Sequence, residues 1–579
     1  MEDLKYSEIL ELNKEMGEKL KSNPYKITVI SNIIVNQIKD ILEFSLRKEG
    51  INVNVVNGDY DNIVQDSLKY KESSTVIIFW ELSNIIDGLH YQIELFEDEQ
   101  ITAIIDKTKL EIDLVLKNLR NTSLVLFNKF TSLPFSNSVI AKSELEELTE
   151  QLNGYLEDII PANVKLVEVE KVFASLGLEN CLDFRYFYSS KALYSIGFFK
   201  SYSELIKPYI MSANGKAKKA IIFDCDNTLW KGILGEDGFD GIEMSLKTKD
   251  GAIFAEIQSL ALALNRQGVL ICLCSKNNPK DVDKVIKFHP DMQLKEKHIT
   301  INKSNWSDKV TNLAEIAQEL NIGMDSFVYV DDSPFEVNFI QAQLPEITVL
   351  HVPKRLYKYP QMLRDNVGLF YNLSFTAEDE MKIDMYNQQM KREMVKKEFT
   401  DIEDYLASLD LKLTIFQDEE SIIPRMAQMS QKTNQFNLTT KRYTEGDIKN
   451  FIEIDSATIL AFSVSDKFGD GGITGLCIVN LDQQNQLAEI DTFLMSCRII
   501  GRKIEFAFMD YLIDLLKMTN IKTVNAKYIQ TQKNEQVKTF YDNCSFELVE
   551  SENLIKEYSL EISKYNTNQI NFIEVVDGK

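Results

Sequence analysis

The segment KAIIFDCDNTLW concentrates more reactive side chains than any other part of the chain. Its apolar run reads as a strand that delivers Asp224 at the carboxyl end, and Asp226 follows two residues later where the chain leaves the sheet. Open α/β sheets bind their ligands at that edge. A lone DxD is as readily an Asx turn or a solvated loop, but three further segments put chemistry at the same kind of position. Ser275 follows VLICLC, Lys309 opens a helix in NWSDK, and Asp331 and Asp332 close FVYV. A hydroxyl, a cation and paired carboxylates are the parts that phosphoryl transfer uses. It needs an oxygen nucleophile, a hard cation to neutralise the phosphoryl oxygens and an acid for the leaving group.

These residues require a parallel sheet, and the surrounding chain predicts one. KAIIFD, VLICLCS, FVYVDD and ITVLHV read as strands separated by helical stretches such as AIFAEIQSLALALNRQG, up to about Val352. An earlier block, from Tyr25 to about Lys200, repeats the rhythm with KITVIS, INVNVVN, TVIIFW, TSLVLFN and NVKLVEV. The stretch TAEDEMKIDMYNQQMKREMVKKEF has a thin apolar face and reads as a connector. Beyond it, ILAFSVSD, ITGLCIVNL and LAEIDTFLMS alternate with helices in an α+β order, and FGDGGITG reads as a hairpin turn. The expected fold class is therefore α/β multidomain, with boundaries at 1–215, 216–375, 376–403 for the connector and 404–579.

Composition limits the function. The chain has 579 residues and a net charge of −24, and no basic stripe, which argues against a nucleic-acid partner. No segment reaches the length of an apolar membrane span and the first residues have no apolar leader core, so a cytoplasmic protein is expected. The seven cysteines are scattered without a CxxC pair, and the four histidines form no HExxH, so neither a disulfide framework nor a zinc hydrolase is expected.

Asp224-Cys-Asp226-Asn-Thr228, Ser275, Lys309 and Asp331-Asp332 together resemble the four motifs of the haloacid dehalogenase phosphatase superfamily. FDCDNTLWKGILGEDG, LCSKNN, NWSDK and VDDSPFE resemble its FkbH-like subfamily more narrowly. The resemblance implies a Rossmannoid central domain in which Asp224 is the nucleophile and Asp226 the acid and base. Mg2+ is expected on the Asp224 carboxylate, the Asp226 main-chain carbonyl and Asp331, with Asp332 orienting them and Ser275 and Lys309 on the phosphate. Thr228, Lys276 and Asn277 are candidates for reading the substrate, the last two equally as helix-cap residues. The intervals from Thr228 to Ser275 and from Ser275 to Lys309, 47 and 34 residues, are too short for a cap domain. The flanking blocks are then the expected roofs.

FkbH-like proteins are associated with dephosphorylating a glyceryl phosphate and loading the glyceryl group onto a carrier-protein thiol. Cys274, directly before Ser275, is the candidate first acceptor if its thiol is acidified by Lys309 or the metal, with Cys497 or the carrier itself as the other choice. Its bland reading is a small buried core residue. In the third block, TFLMSCRIIGRKIEF resembles the phosphate-binding turn of GNAT acyltransferases, although Lys503 stands where a small residue is usual. The resemblance implies that Arg498, Gly501 and Arg502 meet the phosphate of coenzyme A or phosphopantetheine, with Asn534 and Tyr541 downstream. An equally weighted reading is a GNAT-shaped domain that only binds a carrier protein. KTNQFNLTTKRY, Lys432 to Tyr443, also matches the FkbH-like pattern and reads as a recognition surface. The first block resembles an SGNH hydrolase with Ser31-Asn32 after its first strand. Its only histidine is His90, in Asp87-Gly88-Leu89-His90, and the block reads as a partner-binding or roofing domain.

The leading expectation is thus a Mg2+-dependent phosphatase acting on a small acid or sugar phosphate and coupled to acyl transfer onto a carrier thiol. The alternatives are an acyltransferase of polysaccharide or secondary-metabolite assembly with a supporting phosphatase module, and a non-catalytic scaffold.

Overall fold

A computed structural model describes residues 1, 4–20, 23–136, 142–373, 385–386, 388–389, 392, 395–396, 399–531, 533–552, 554–568 and 570–578. The chain forms two compact units, Met1–Asn214 and Gly215–Lys579. Most of the expected connector, 376–403, lies outside the described residues.

The first unit is built on β1 (Tyr25–Ser31), β2 (Val53–Asn57), β3 (Thr75–Phe79), β4 (Leu124–Asn128) and β5 (Val164–Val167). All pairs are parallel, in the order β2-β1-β3-β4-β5. Every residue of β3 and β4 is buried, which explains why TVIIF and LVLFN are apolar without alternation.

The second unit carries two sheets. Its first consists of β6 (Ala220–Phe223), β7 (Leu270–Ser275), β8 (Ile299–Ser304), β9 (Phe327–Asp331) and β10 (Thr348–His351), parallel in the order β10-β9-β6-β7-β8. The strand β8 is an addition to the sequence reading. As an edge strand it carries Asn302 and Lys303 among its apolar residues, which hides its signal. The helices that follow β7, β8 and β9 all start at the carboxyl edge on a capped turn. Asn278 caps Pro279–Phe288, Asp308 caps Lys309–Leu320 and Ser333 caps Pro334–Gln343, each through its side-chain oxygen. No domain is inserted between β6 and β8.

The other sheet runs β17-β18-β16-β15-β14-β13-β11-β19, with β12 added to β15. Its strands are β11 (Leu411–Gln417), β12 (Phe436–Asn437), β13 (Ala457–Asp466), β14 (Gly469–Asp482), β15 (Leu487–Met495), β16 (Thr523–Ile529), β17 (Glu547–Glu552), β18 (Ile555–Glu561) and β19 (Ile573–Asp577). The glycine-rich run begins β14, and the turn itself falls on Lys467 and Phe468. The parallel neighbours β15 and β16 pair only at Leu487–Ile490 with Thr523–Ala526 and then part.

Each unit has its own sheets and core. Residues 1–214 and 215–579, produced separately, should each show a cooperative thermal transition by circular dichroism; a fragment without one would contradict the division.

Candidate active site

Asp224 directly follows β6, and its backbone N–H donates to the Val330 carbonyl of neighbouring β9 at 3.0 Å. The two strands therefore end in register, with Asp224 and Asp331 side by side. Lys309, the first residue of its helix, reaches between them. Its Nζ donates to Asp224 Oδ1 at 3.0 Å and to Asp331 Oδ2 at 2.6 Å. The Asp308 cap, which accepts from Thr311 N at 2.8 Å, fixes the helix start that aims the lysine inward. Asp331 Oδ1 accepts from Ser333 N at 2.8 Å, and Tyr329 donates its hydroxyl to Oδ2.

Asp224, Asp331 and Asp332 each offer a carboxylate oxygen within 4.8 Å of the others. Burial pushes Asp224 up to about 7, against the lowering effect of Lys309 and with further raising by Asp331. Asp332 rises to about 6 by burial and then by the charge of Asp331. Burial alone would lower Lys309, but the charges of Asp224 and Asp331 outweigh it and hold the ammonium form. Three converging carboxylates facing one lysine form an oxygen-only set short of positive charge, which fits a hard divalent cation. Asp332 joins this set directly, beyond the orienting role expected for it.

Asp226 is positioned by other means. Its Oδ1 accepts from Trp230 Nε1 at 2.9 Å and Leu234 N at 3.0 Å, and its Oδ2 from Asn277 Nδ2 at 2.9 Å. Asn277 also lies 3.4 Å from Ser275 Oγ, so one buried amide connects two expected site residues. Asn277 is not a cap, a role that falls to Asn278. Lys276 ion-pairs with Glu336 at 2.7 Å. Thr228 is fully buried, and its hydroxyl has no hydrogen-bond partner among the described residues. Between Asp226 and Thr228, Asn227 has a left-handed φ of 52° and accepts Gly232 N at 3.0 Å, which turns the chain sharply off the sheet. Sequence reasoning missed Trp230, Tyr329 and Glu336. All three lie within motif segments, but as an aromatic or a helix-face acid none stands out.

The environment expected for Cys274 is corrected. Its thiol is fully buried, 3.9 Å from the Lys309 carbonyl, and packs in an apolar cluster with Cys272 and Leu313. Burial pushes it well up, and Lys309 only partly offsets this.

The residues expected to hold coenzyme A separate. Arg502 is buried, with Nη1 3.3 Å from Asp466 Oδ2 and Nη2 donating to Gln389 at 2.7 Å, so it is internal structure and not a phosphate ligand. Asn534 donates to the carbonyls of Asn437 and Ile529, both at 2.9 Å, and accepts Thr531 N at 2.7 Å; its amide belongs to the fold. Tyr541 lies in the core with no hydrogen-bond partner among the described residues, and burial raises it strongly. Gly501 has a φ of 84° and faces open space, and Lys503 follows at φ 60°, a conformation that favours the small residue usual there. Lys503 pairs with Glu403 at 2.7 Å, and Glu505, mostly buried with its carboxyl raised by burial, stands in the first turn of Ile504–Met518.

The gap between β15 and β16 is filled as well. Phe436 and Asn437 pair with Met495 and Leu494, Leu438 N donates to Phe493 O at 3.1 Å, and Ile529 N donates to Leu438 O at 2.8 Å. The stretch Phe436–Thr439 is thus core, which corrects its reading as a recognition surface. Glu505 in the first turn and Glu403 on Lys503 thus oppose the negative charge that a pyrophosphate would bring to this helix start. Arg498 lines an open cavity.

In the first unit, the Ser31 hydroxyl donates to the Ile33 carbonyl at 2.8 Å. His90 instead packs on Phe135 and Phe187, with ring centroids at 4.2 and 5.6 Å.

Comparison with known proteins adds the fold. No family model matches the chain, and no curated protein matches it in sequence. The N-terminal part of BF1531 from Bacteroides fragilis, containing a phosphatase domain complexed with Mg, matches with a TM-score of 0.56 and 23% identity. The match covers 64% of this chain and all of that one. The chain thus shares the α/β fold of that phosphatase-containing protein. Two acetyltransferases match at lower similarity. The ribosomal-protein-S18-alanine N-acetyltransferase of Escherichia coli has a TM-score of 0.22 and 16% identity, covering 27% of this chain and 97% of that one. Ard1 of Thermoplasma volcanium has 0.21 and 17%, covering 26% and 97%. Among the described residues, no helix is long and apolar enough to cross a membrane.

Asp224, raised by burial to about 7, would have to ionise to hold a cation, so protons would compete with Mg2+. Lowering the pH from 8 to 6 should weaken apparent Mg2+ affinity about tenfold by calorimetry. An affinity independent of pH over this range would show that Asp224 is not a ligand.

Proposed function

We propose that the chain is a Mg2+-dependent phosphatase of small phosphorylated metabolites. The observation that carries this reading is the buried set of Asp224, Asp331, Asp332 and Lys309 at the carboxyl ends of β6 and β9. The reading draws further support from the fold shared with a phosphatase-containing protein crystallised with Mg.

Asp224, Asp331 and Asp332 would hold Mg2+, joined by the Asp226 main-chain carbonyl, and the bound ion would neutralise phosphoryl oxygens and keep Asp224 ionised. An Asp224 oxygen bonds to phosphorus as the bond from phosphorus to the ester oxygen breaks, leaving an aspartyl-phosphate. Asp226 gives its proton to the departing oxygen. It then takes a proton from the water that attacks phosphorus, releasing phosphate and restoring Asp224. Trp230, Leu234 and Asn277 hold Asp226 in place for both transfers. Ser275 and Lys309 bind the phosphoryl oxygens, and the lysine offsets the charge of the nucleophile.

The acyl-transfer half of the FkbH-like resemblance is a finer reading. The state of Cys274 favours placing any thiol acceptor elsewhere, on a carrier protein or on Cys497, which is partly exposed in the wall of the cavity that Arg498 lines.

Phosphate release from a panel of phosphorylated metabolites should require Mg2+. Asp224→Asn should lower it by ~10³-fold or more, because the amide is neither nucleophile nor good ligand. Asp226→Asn should lower it by ~10²–10⁴-fold with little change in substrate binding. Wild-type turnover by Asp224→Asn would refute the assignment.

A further inference from the structure

The cavity lined by Arg498 measures about 460 Å³, within the size range of small-molecule sites. It opens where the C-terminal sheet meets the loops Gly323–Ser326 and Glu346 of the β6 sheet. In a chain of net charge −24 its wall has the opposite balance, with five cationic side chains against two carboxylates. One carboxylate, Asp325, is already matched by Lys533 at 2.5 Å. Arg425 is fixed by donating to the Ile473 carbonyl at 3.1 and 3.3 Å. Among the described residues, Arg498 has only weak acceptors. Its Nε donates to Ser496 Oγ at 3.2 Å, and Nη1 rests on the sulfur of Met385. A thioether is a poor acceptor for a guanidinium, and a phosphate oxygen would readily displace it. Lys219 and Lys432 add charge to the same wall, while Met324, Met429 and Tyr386 provide an apolar side.

We propose that this cavity is a second, non-hydrolytic site for an organic phosphate monoester. Its phosphate sits on Arg498 and Lys219, and its uncharged body lies along Met324, Met429 and Tyr386. The site lies at the edge of the sheet opposite the reactive carboxylates. Lys219 precedes β6 and Asp224 follows it; Ser326 precedes β9 and Asp331 ends it. Five residues of extended chain place the two ends roughly 16 Å apart. A phosphate held by Arg498 is therefore out of reach of Asp224 and stays intact, and the inference stands apart from the reading of Asp224 as nucleophile.

The test is calorimetry on the full-length Asp224→Asn chain in EDTA, with inorganic phosphate, glycerol 3-phosphate, 4′-phosphopantetheine and phosphate-free pantetheine as probes. At least one phosphomonoester should bind, at least tenfold more weakly to chains that also carry Arg498→Gln or Lys219→Gln, and unchanged when Ser275→Ala is added. Preference between glycerol phosphate and phosphopantetheine then identifies the body the cavity accepts. Melting curves separate loss of ligand from loss of fold, and should either cavity variant not fold, the other carries the comparison. Several outcomes overturn the proposal: no phosphomonoester binds, pantetheine binds as well as its phosphate, or binding is lost with Ser275→Ala but not with the cavity variants.

Discussion

Everything at the reactive edge depends on one buried ammonium between two carboxylates. Asp224 and Asp331 end adjacent strands whose backbones are bonded in register, so their charges are forced together by the sheet itself. Lys309 makes that tolerable, and removing one partner of such a buried set generally costs about 3–5 kcal/mol, because the rest is left uncompensated. The requirement extends outward. The lysine must enter at the first position of a helix, that helix must begin at the carboxyl edge, and Asp308 must cap it. Because β8 is separated from β6 by β7, the chain after it must return across the end of β7, where Asn305 N donates to Ser275 O at 3.0 Å.

One lysine does not neutralise three carboxylates, and Asp224 and Asp332 are raised first by burial and further by the charge of Asp331. In the metal-free protein, protons make up the difference. A carboxyl whose folded value exceeds its unfolded one stabilises the fold at low pH and loses that contribution as pH rises through the folded value. For these two groups the loss runs from about pH 4 to pH 7. The arrangement is therefore least favourable at and above about pH 7, where a divalent cation would relieve it most. The crowding that raises these carboxyls is also what would favour a bound cation.

Much of this was legible in the sequence because apolar strands in a parallel sheet are continuous runs, and a charged residue at the end of such a run has to lie at the sheet edge. Asp224 and Asp331 follow from that rule, and Ser275 from its counterpart for a polar residue at the end of the run. Lys309 required only the recognition of a helix start. The rule fails where polar residues do structural work inside the fold. Asn534, Arg502 and Phe436–Thr439 resemble ligand-binding elements because amides, guanidinium groups and hydroxyls look the same whether they face a ligand or the chain's own backbone. Only the structure shows that Asn534 bonds to Asn437 and Ile529 and that Arg502 pairs with Asp466. For Cys274 the sequence placed the residue correctly beside Ser275. Its burial agrees with the reading of Cys274 as a small core residue, and depth determines whether a thiol is a nucleophile or packing.

The sheet also sets how the second unit can divide its work. Its two ends are separated by the length of a short strand, with the carboxylates at one and the cationic cavity at the other. The described contacts of the C-terminal sheet with the β6 sheet, among them Lys533 with Asp325 and Asn321 with the Cys497 carbonyl, fall at the cavity end. That placement corrects the expectation that the C-terminal block roofs the reactive edge. A chemical group released at Asp224 cannot be passed to Cys497 or Arg498 by a side-chain movement, because no side chain spans a strand's length. Transfer between the ends would need a tethered or freely diffusing intermediate. Without one, the two ends would be independent sites, the proposed ester-cleaving site at one and the proposed phosphate-holding cavity at the other.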